Sequence, residues 1–174
     1  MRIILVAGMP GSGKEELLTV ARGMGLPFLR MGDLVREAYA ESHPEGMTTG
    51  QFADSERKVH GRDVWARRDV ERMDGETFLV DGCRSMDEVN AYRSLGGDVL
   101  ILGIHAPPAA RYDRLVRRRR DDAPRNRSEF EARDAREMGW GLSDVMALAD
   151  VMIVNDGSLD GFRVRSAEAL KGLL

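Results

Sequence analysis

The chain is poor in the residues that build cross-links, metal centres and membrane spans. Its single cysteine, Cys83, excludes an internal disulfide and suits a reducing cytoplasm. With no catalytic motif around it, Cys83 reads as a small buried hydrophobe. The three histidines, His43, His60 and His105, lack the spacing of zinc ligands. No run of 18 apolar residues occurs, so no membrane span is expected. The chain enters a strand-like run after one arginine, without the apolar stretch and cleavage site of a secretion signal, and the expected location is the cytoplasm.

Lysine is scarce as well, with 3 against 23 arginines. The formal charge of −3 argues against a general nucleic-acid binder. Base composition of the genome is the simpler reading for most of the arginines. The planar guanidinium fork nevertheless fits phosphate oxygens better than an ammonium does, so the places where arginines gather matter.

What is present is enough for one compact domain over 1–174, with 43% hydrophobic residues to form its core. Apolar runs of strand length alternate with segments of helical period. "RIILVA" (2–7), "LPFLRM" (26–31), "TFLVDG" (77–82), "DVLILGIHA" (98–106) and "DVMIVN" (150–155) are predicted strands. The segments between them are predicted helices, with Thr48 or Thr49, Ser85 and Ser158 as caps. "PPAARYDRLVRRRR" begins with proline and ends in arginines, as the helix dipole favours. Alternation of this kind predicts an α/β fold with a parallel sheet covered on both faces. Ligands of such sheets sit beyond the C-terminal ends of the strands, so the loops after strands one, three and four should border one crevice.

The first of these loops is "GMPGSGKEE" (8–16), which fits G-x-x-x-x-G-K through Gly8, Gly13 and Lys14. Between a buried strand and a helix, Gly8, Met9, Pro10, Gly11, Ser12 and Gly13 can curl their N–H groups around an anion at the helix N-terminus. Lys14 would reach the outer phosphates. The next residue, Glu15, stands where such loops place a serine or threonine for magnesium. A carboxylate there repels triphosphate unless it swings outward or meets the water shell of the metal, and one of these is expected. Asp81 ends a buried strand facing the crevice, a place for organising magnesium water, with Arg84 three residues on. Asp33 and Arg36 open the helix after strand two, where a cap and a solvated charge are the simpler reading. Arg114 and Arg118 share a helical face that Arg111 can join, while Arg117, Arg119 and Arg120 point elsewhere. Arg133 and Arg136 form a second face across "DDAPRNRS". The two faces read as a lid over phosphates or as a solvated salt-bridge ladder.

These segments resemble the nucleoside-monophosphate-kinase branch of P-loop kinases. "GMPGSGKEE" is similar to their phosphate loop, "MGDLVRE" to T-G-D-x-L-R, "LVDGCR" to V-D-G-F-P-R and "DRLVRR" to D-R-I-x-x-R of adenylate kinases. "MGLPFLRMGDLVRE" and "LADVMIVNDGSLDGF" are similar to segments of dephospho-coenzyme A kinase. Over nearly its whole length the chain resembles an archaeal family of small kinase-like P-loop proteins of unsettled function. The resemblance implies a three-layer P-loop fold with a five-stranded parallel sheet, a helical acceptor-binding insert (33–73) and a short arginine-rich lid (111–137). It implies that Lys14 and the loop hold the phosphates of ATP with Mg2+, and that Asn155 borders the donor base. Asp33, Arg36, Arg84 and Arg136 would hold a small-molecule phosphoryl acceptor, and Arg114, Arg118 and Arg133 would neutralise the transferring group. The implied activity is phosphoryl transfer from ATP to a nucleotide-like molecule. An ATPase switch acting on a protein or ribonucleoprotein is the alternative.

Overall fold

The computed structural model describes residues 1–43, 45–73, 77–118 and 123–174. Arg119 and Arg120 therefore lie outside the described residues. The five strands are β1 (Arg2–Ala7), β2 (Phe28–Arg30), β3 (Thr77–Asp81), β4 (Asp98–His105) and β5 (Val151–Val154). They form one parallel sheet in the order β2-β3-β1-β4-β5. The helices are α1 (Lys14–Gly23), α2 (Met31–Ser42), α3 (Thr49–His60), α4 (Val64–Val70) and α5 (Met86–Arg93). They continue with α6 (Pro108–Arg117), α7 (Arg127–Gly139), α8 (Leu142–Ala147) and α9 (Leu159–Leu173).

β1 is central, and its unbroken apolar run follows from that place. Ile3 and Leu5 enter a core with Trp65, Tyr92 and Val145, while Ile4 and Val6 enter a second core with Leu17, Phe162 and Leu170. A strand buried on both faces has no need of alternation. Helices α2–α5 and α8 supply the first core, and α1 and α9 the second. Trp65 is fully buried and donates its indole N–H to the Ala53 carbonyl at 3.3 Å, tying α4 to α3.

Local signals set several boundaries. Thr48 forms a capping box with Gln51, and the side chains of Ser85, Asn126 and Ser158 accept from backbone N–H groups of their own helices. The second strand is shorter than the 26–31 read from sequence, because Pro27 has no N–H to give and Met31 already starts α2. Helix α8 was not foreseen, since six residues are too few to display a period.

Candidate active site

The loop after β1 is shaped by what cannot be added to it. A Cβ on Gly8 would lie 2.6 Å from Ser12 Oγ and 2.8 Å from the Ile104 carbonyl. Gly13 has φ of 118°, in the left-handed region, and a Cβ there would run into the Asn155 side-chain amide. Lys14 Nζ donates to the Gly8 carbonyl at 2.6 Å. Burial lowers the Lys14 pKa, while the Asp81 carboxylate acts in the opposite direction.

Donors from distant elements hold the outer side of this loop. Asn155 Nδ2 donates to the Ser12 carbonyl at 2.7 Å. Arg114 donates to the Gly11 and Ser12 carbonyls at 3.3 and 3.4 Å, and to the Asn155 carbonyl at 3.0 Å. Arg111, buried at 4% exposure, donates to the Pro10 carbonyl at 3.2 Å and forms a two-pronged pair with Asp134 of α7. Carbonyls that would repel an anion are thereby engaged. Asn155 is placed by the sheet itself, because its N–H donates to the His105 carbonyl at 2.7 Å, one step beyond β5.

The inner side of the loop borders a cavity of about 220 Å³. Lys14, Arg30, Arg36, Arg84, Arg118 and Arg133 line it, together with Glu15, Asp81 and Glu137. Parallel register sets Val6 beside Asp81 and thus carries this carboxylate to the edge of the loop. Burial raises the Asp81 pKa, opposed first by Lys14 and then by Arg84. Its Oδ1 is buried without a hydrogen-bond partner. Glu15 accepts from Arg30 Nη2 at 2.9 Å, and Glu137 from Arg84 Nε at 2.8 Å. Cys83 also touches the cavity, and burial pushes its thiol pKa far up, which disfavours the thiolate.

A wider cleft of about 1250 Å³ continues from the cavity between α3 and α7. Arg36, Arg84, Arg133 and Glu137 border both spaces, and Arg57, Arg125, Arg136 and Trp140 border the cleft. The Trp140 ring has the guanidiniums of Arg57, Arg84 and Arg136 at 5.0, 5.3 and 5.6 Å from its centroid.

The expected site residues therefore divide into groups. Gly8, Pro10, Gly11, Ser12, Gly13, Lys14, Glu15, Arg36, Asp81, Arg84, Arg118 and Arg133 share the cavity. Arg136 lies in the cleft. Met9 packs against the core, and Arg114 and Asn155 stand behind the loop as braces. Asp33 is ion-paired to Arg36 at the exposed start of α2. Arg111 is not a member of an exposed arginine face. Sequence reading missed Arg30, Glu137 and Trp140. Only Arg30 carried a signal, namely its position at the C-terminal end of a predicted strand.

A glycine loop ending in lysine, between the central strand of a parallel sheet and its helix, defines a P-loop protein of kinase-like fold. Residues 7–131 match the AAA domain family. The chain is 43% identical to a UPF0200 protein of Hyperthermus butylicus, over 98% of this chain and 94% of that one, and it belongs to the UPF0200 family. Among solved structures, TT1252 from Thermus thermophilus superposes with a TM-score of 0.70 at 21% identity, covering 99% of this chain and 97% of that one. Shikimate kinase from Bacteroides thetaiotaomicron gives 0.63 at 16% identity, with the same coverage. At these identities the likeness is one of fold.

Proposed function

We propose that this protein is a magnesium-dependent phosphotransferase that moves the γ-phosphoryl group of ATP to a nucleotide or nucleotide-like small molecule. The observation that carries the reading is convergence. A phosphate loop and arginines from β2, α2, α7 and the segments after β3 and α6 meet around one cavity that opens into a cleft large enough for a second ligand.

The residues fit the two implied ligands. The loop, with Ser12 Oγ buried and without a partner, offers a polar cradle for triphosphate. Lys14 would exchange the Gly8 carbonyl for a phosphate oxygen, a stronger acceptor. Asp81 would hold magnesium through water, and the metal when bound would neutralise charge on the β- and γ-phosphates. Arg118 and Arg133 would meet the transferring phosphoryl group, and Arg36 and Arg84 the acceptor. Catalysis would come mainly from positioning and charge neutralisation. The stretch 33–73 would act as the acceptor-binding insert and 111–137 as the lid. An ATPase switch is disfavoured by the size and arginine content of the cleft.

Arg36 tests this reading. Screening nucleoside monophosphates and dephospho-coenzyme A with ATP and magnesium, and reading phosphorylated product, should identify an acceptor. Arg36→Ala should then raise the acceptor KM roughly tenfold to hundredfold and spare ATP affinity. If no small acceptor gives product, or if ATP affinity disappears in the variant, the switch takes the place of the kinase.

A further inference from the structure

Six cationic side chains face three carboxylates in the cavity, and each carboxylate is set against a cation: Glu15 against Arg30, Glu137 against Arg84, and Asp81 against Lys14. The guanidinium of Arg30 is only partly used. Nη2 holds Glu15, while Nε is buried with no hydrogen-bond partner. A buried cationic donor left in this state is costly, and an acceptor oxygen would relieve the cost.

The floor near Arg30 is backbone. Gly82 has φ of 108°, and a Cβ there would lie 3.4 Å from Met31 Cβ and 4.0 Å from the Gly32 nitrogen. The Arg36 guanidinium passes close to Gly32, with Nη1 3.5 Å from where a Cβ would stand. Arg30, Arg36 and Arg84 thus flank a glycine floor formed by Gly32 and Gly82, all on the wall of one cavity.

We infer that Arg30 binds the reacting oxyanion of the acceptor, and that this acceptor attacks the γ-phosphorus through a phosphate oxygen rather than a neutral hydroxyl. The inference rests on the phosphotransferase reading above. An oxygen of the acceptor phosphate forms a bond to the γ-phosphorus. The bond from that phosphorus to the β,γ-bridging oxygen breaks, and its electron pair leaves with ADP. A phosphate dianion has no proton to lose. A hydroxyl would need a carboxylate to accept its proton, whereas Glu15 and Glu137 are paired with Arg30 and Arg84 and Asp81 would be taken up by the water of magnesium. The same guanidinium has a second task, which is to neutralise Glu15 beside the incoming triphosphate.

The two tasks separate in a double-mutant experiment on the full chain. Protein saturated with magnesium and a non-hydrolysable ATP analogue is titrated with inorganic phosphate by calorimetry. Arg30→Met should weaken phosphate binding tenfold or more, and Arg30→Lys should recover part of it. Arg30→Met should also weaken the ATP analogue several-fold, and adding Glu15→Ser should restore the analogue but not phosphate. Retained analogue binding in the double variant shows that the loop is folded. Phosphate affinity that is undetectable in the wild type, unchanged in Arg30→Met, or restored by Glu15→Ser overturns the inference while leaving ATP binding in place. Failure of the wild type to bind the analogue overturns the phosphotransferase reading along with it.

Discussion

Every carbonyl from Gly8 to Gly13 is held by a donor, whereas most arginines of α2–α4 lie in exposed or half-exposed pairs with nearby carboxylates. The loop takes its braces from α6, α7 and the end of β5, all far away in sequence. The helical region relies on Arg36–Asp33, Arg67–Asp63, Arg68–Glu56 and Arg72–Glu37, pairs that solvent weakens. A loop that is already formed loses little freedom on binding a triphosphate. A region held by solvated pairs can rearrange around a second ligand at small cost.

Breaking the strongest brace should give the largest effect. Asp134→Ala leaves Arg111 as a buried charge without its carboxylate and should lower folding stability by about 3 kcal/mol or more. Denaturant unfolding measures it, and an unchanged midpoint would show that the brace is not structural.

The helical region also has buried polar side chains, and the pH dependence of one of them sharpens the contrast. Asp69 of α4 accepts from the Tyr92 hydroxyl at 2.8 Å, and burial raises its pKa from 3.8 to about 6. The folded protein therefore binds this proton more tightly than the unfolded chain. The associated stability is complete below pH 4 and is lost as pH rises through 6. Asp69→Asn removes the titration, so the stability of the variant relative to wild type should rise between pH 4 and 7, by roughly 2–3 kcal/mol. Parallel stability curves for the two proteins would contradict the assignment.

Lys14→Ala should weaken ATP binding by about 2 kcal/mol, the scale of one charge-assisted contact. Equal affinity by calorimetry would remove the phosphate-loop reading. The smallest effect distinguishes two neighbouring arginines. Arg114→Ala, which releases the loop carbonyls, should weaken ATP binding by roughly tenfold. Arg118→Ala, at the cavity wall, should leave ATP affinity nearly unchanged and lower kcat once an acceptor is known. Identical behaviour of the two variants would dissolve the division between brace and cavity wall.

The parts of the site that were legible in sequence are those encoded by adjacent residues. Gly8, Gly13 and Lys14 announce the loop because backbone curvature and anion binding are set within seven residues. Ser85 and Ser158 announce helix starts because a cap acts on its own first turn. The unbroken apolar run of β1 announces a strand buried on both faces. Arg111 and Arg114 looked alike in sequence as members of one arginine-rich helix. Only packing made the first a buried clamp and the second a loop brace.

Sequence by itself determined the sheet-and-helix alternation, the phosphate loop and the caps of α5 and α9, because each rests on local backbone preferences and the period of apolar residues. The tertiary structure alone decided that Glu15 meets Arg30, that Arg84 meets Glu137, and that Arg57 and Arg84 reach the Trp140 ring. Those partners are 15 to 83 residues apart and come from separate elements that the packing of the fold brings together. A side chain carries its charge in the sequence, but the packing chooses which opposite charge it will face.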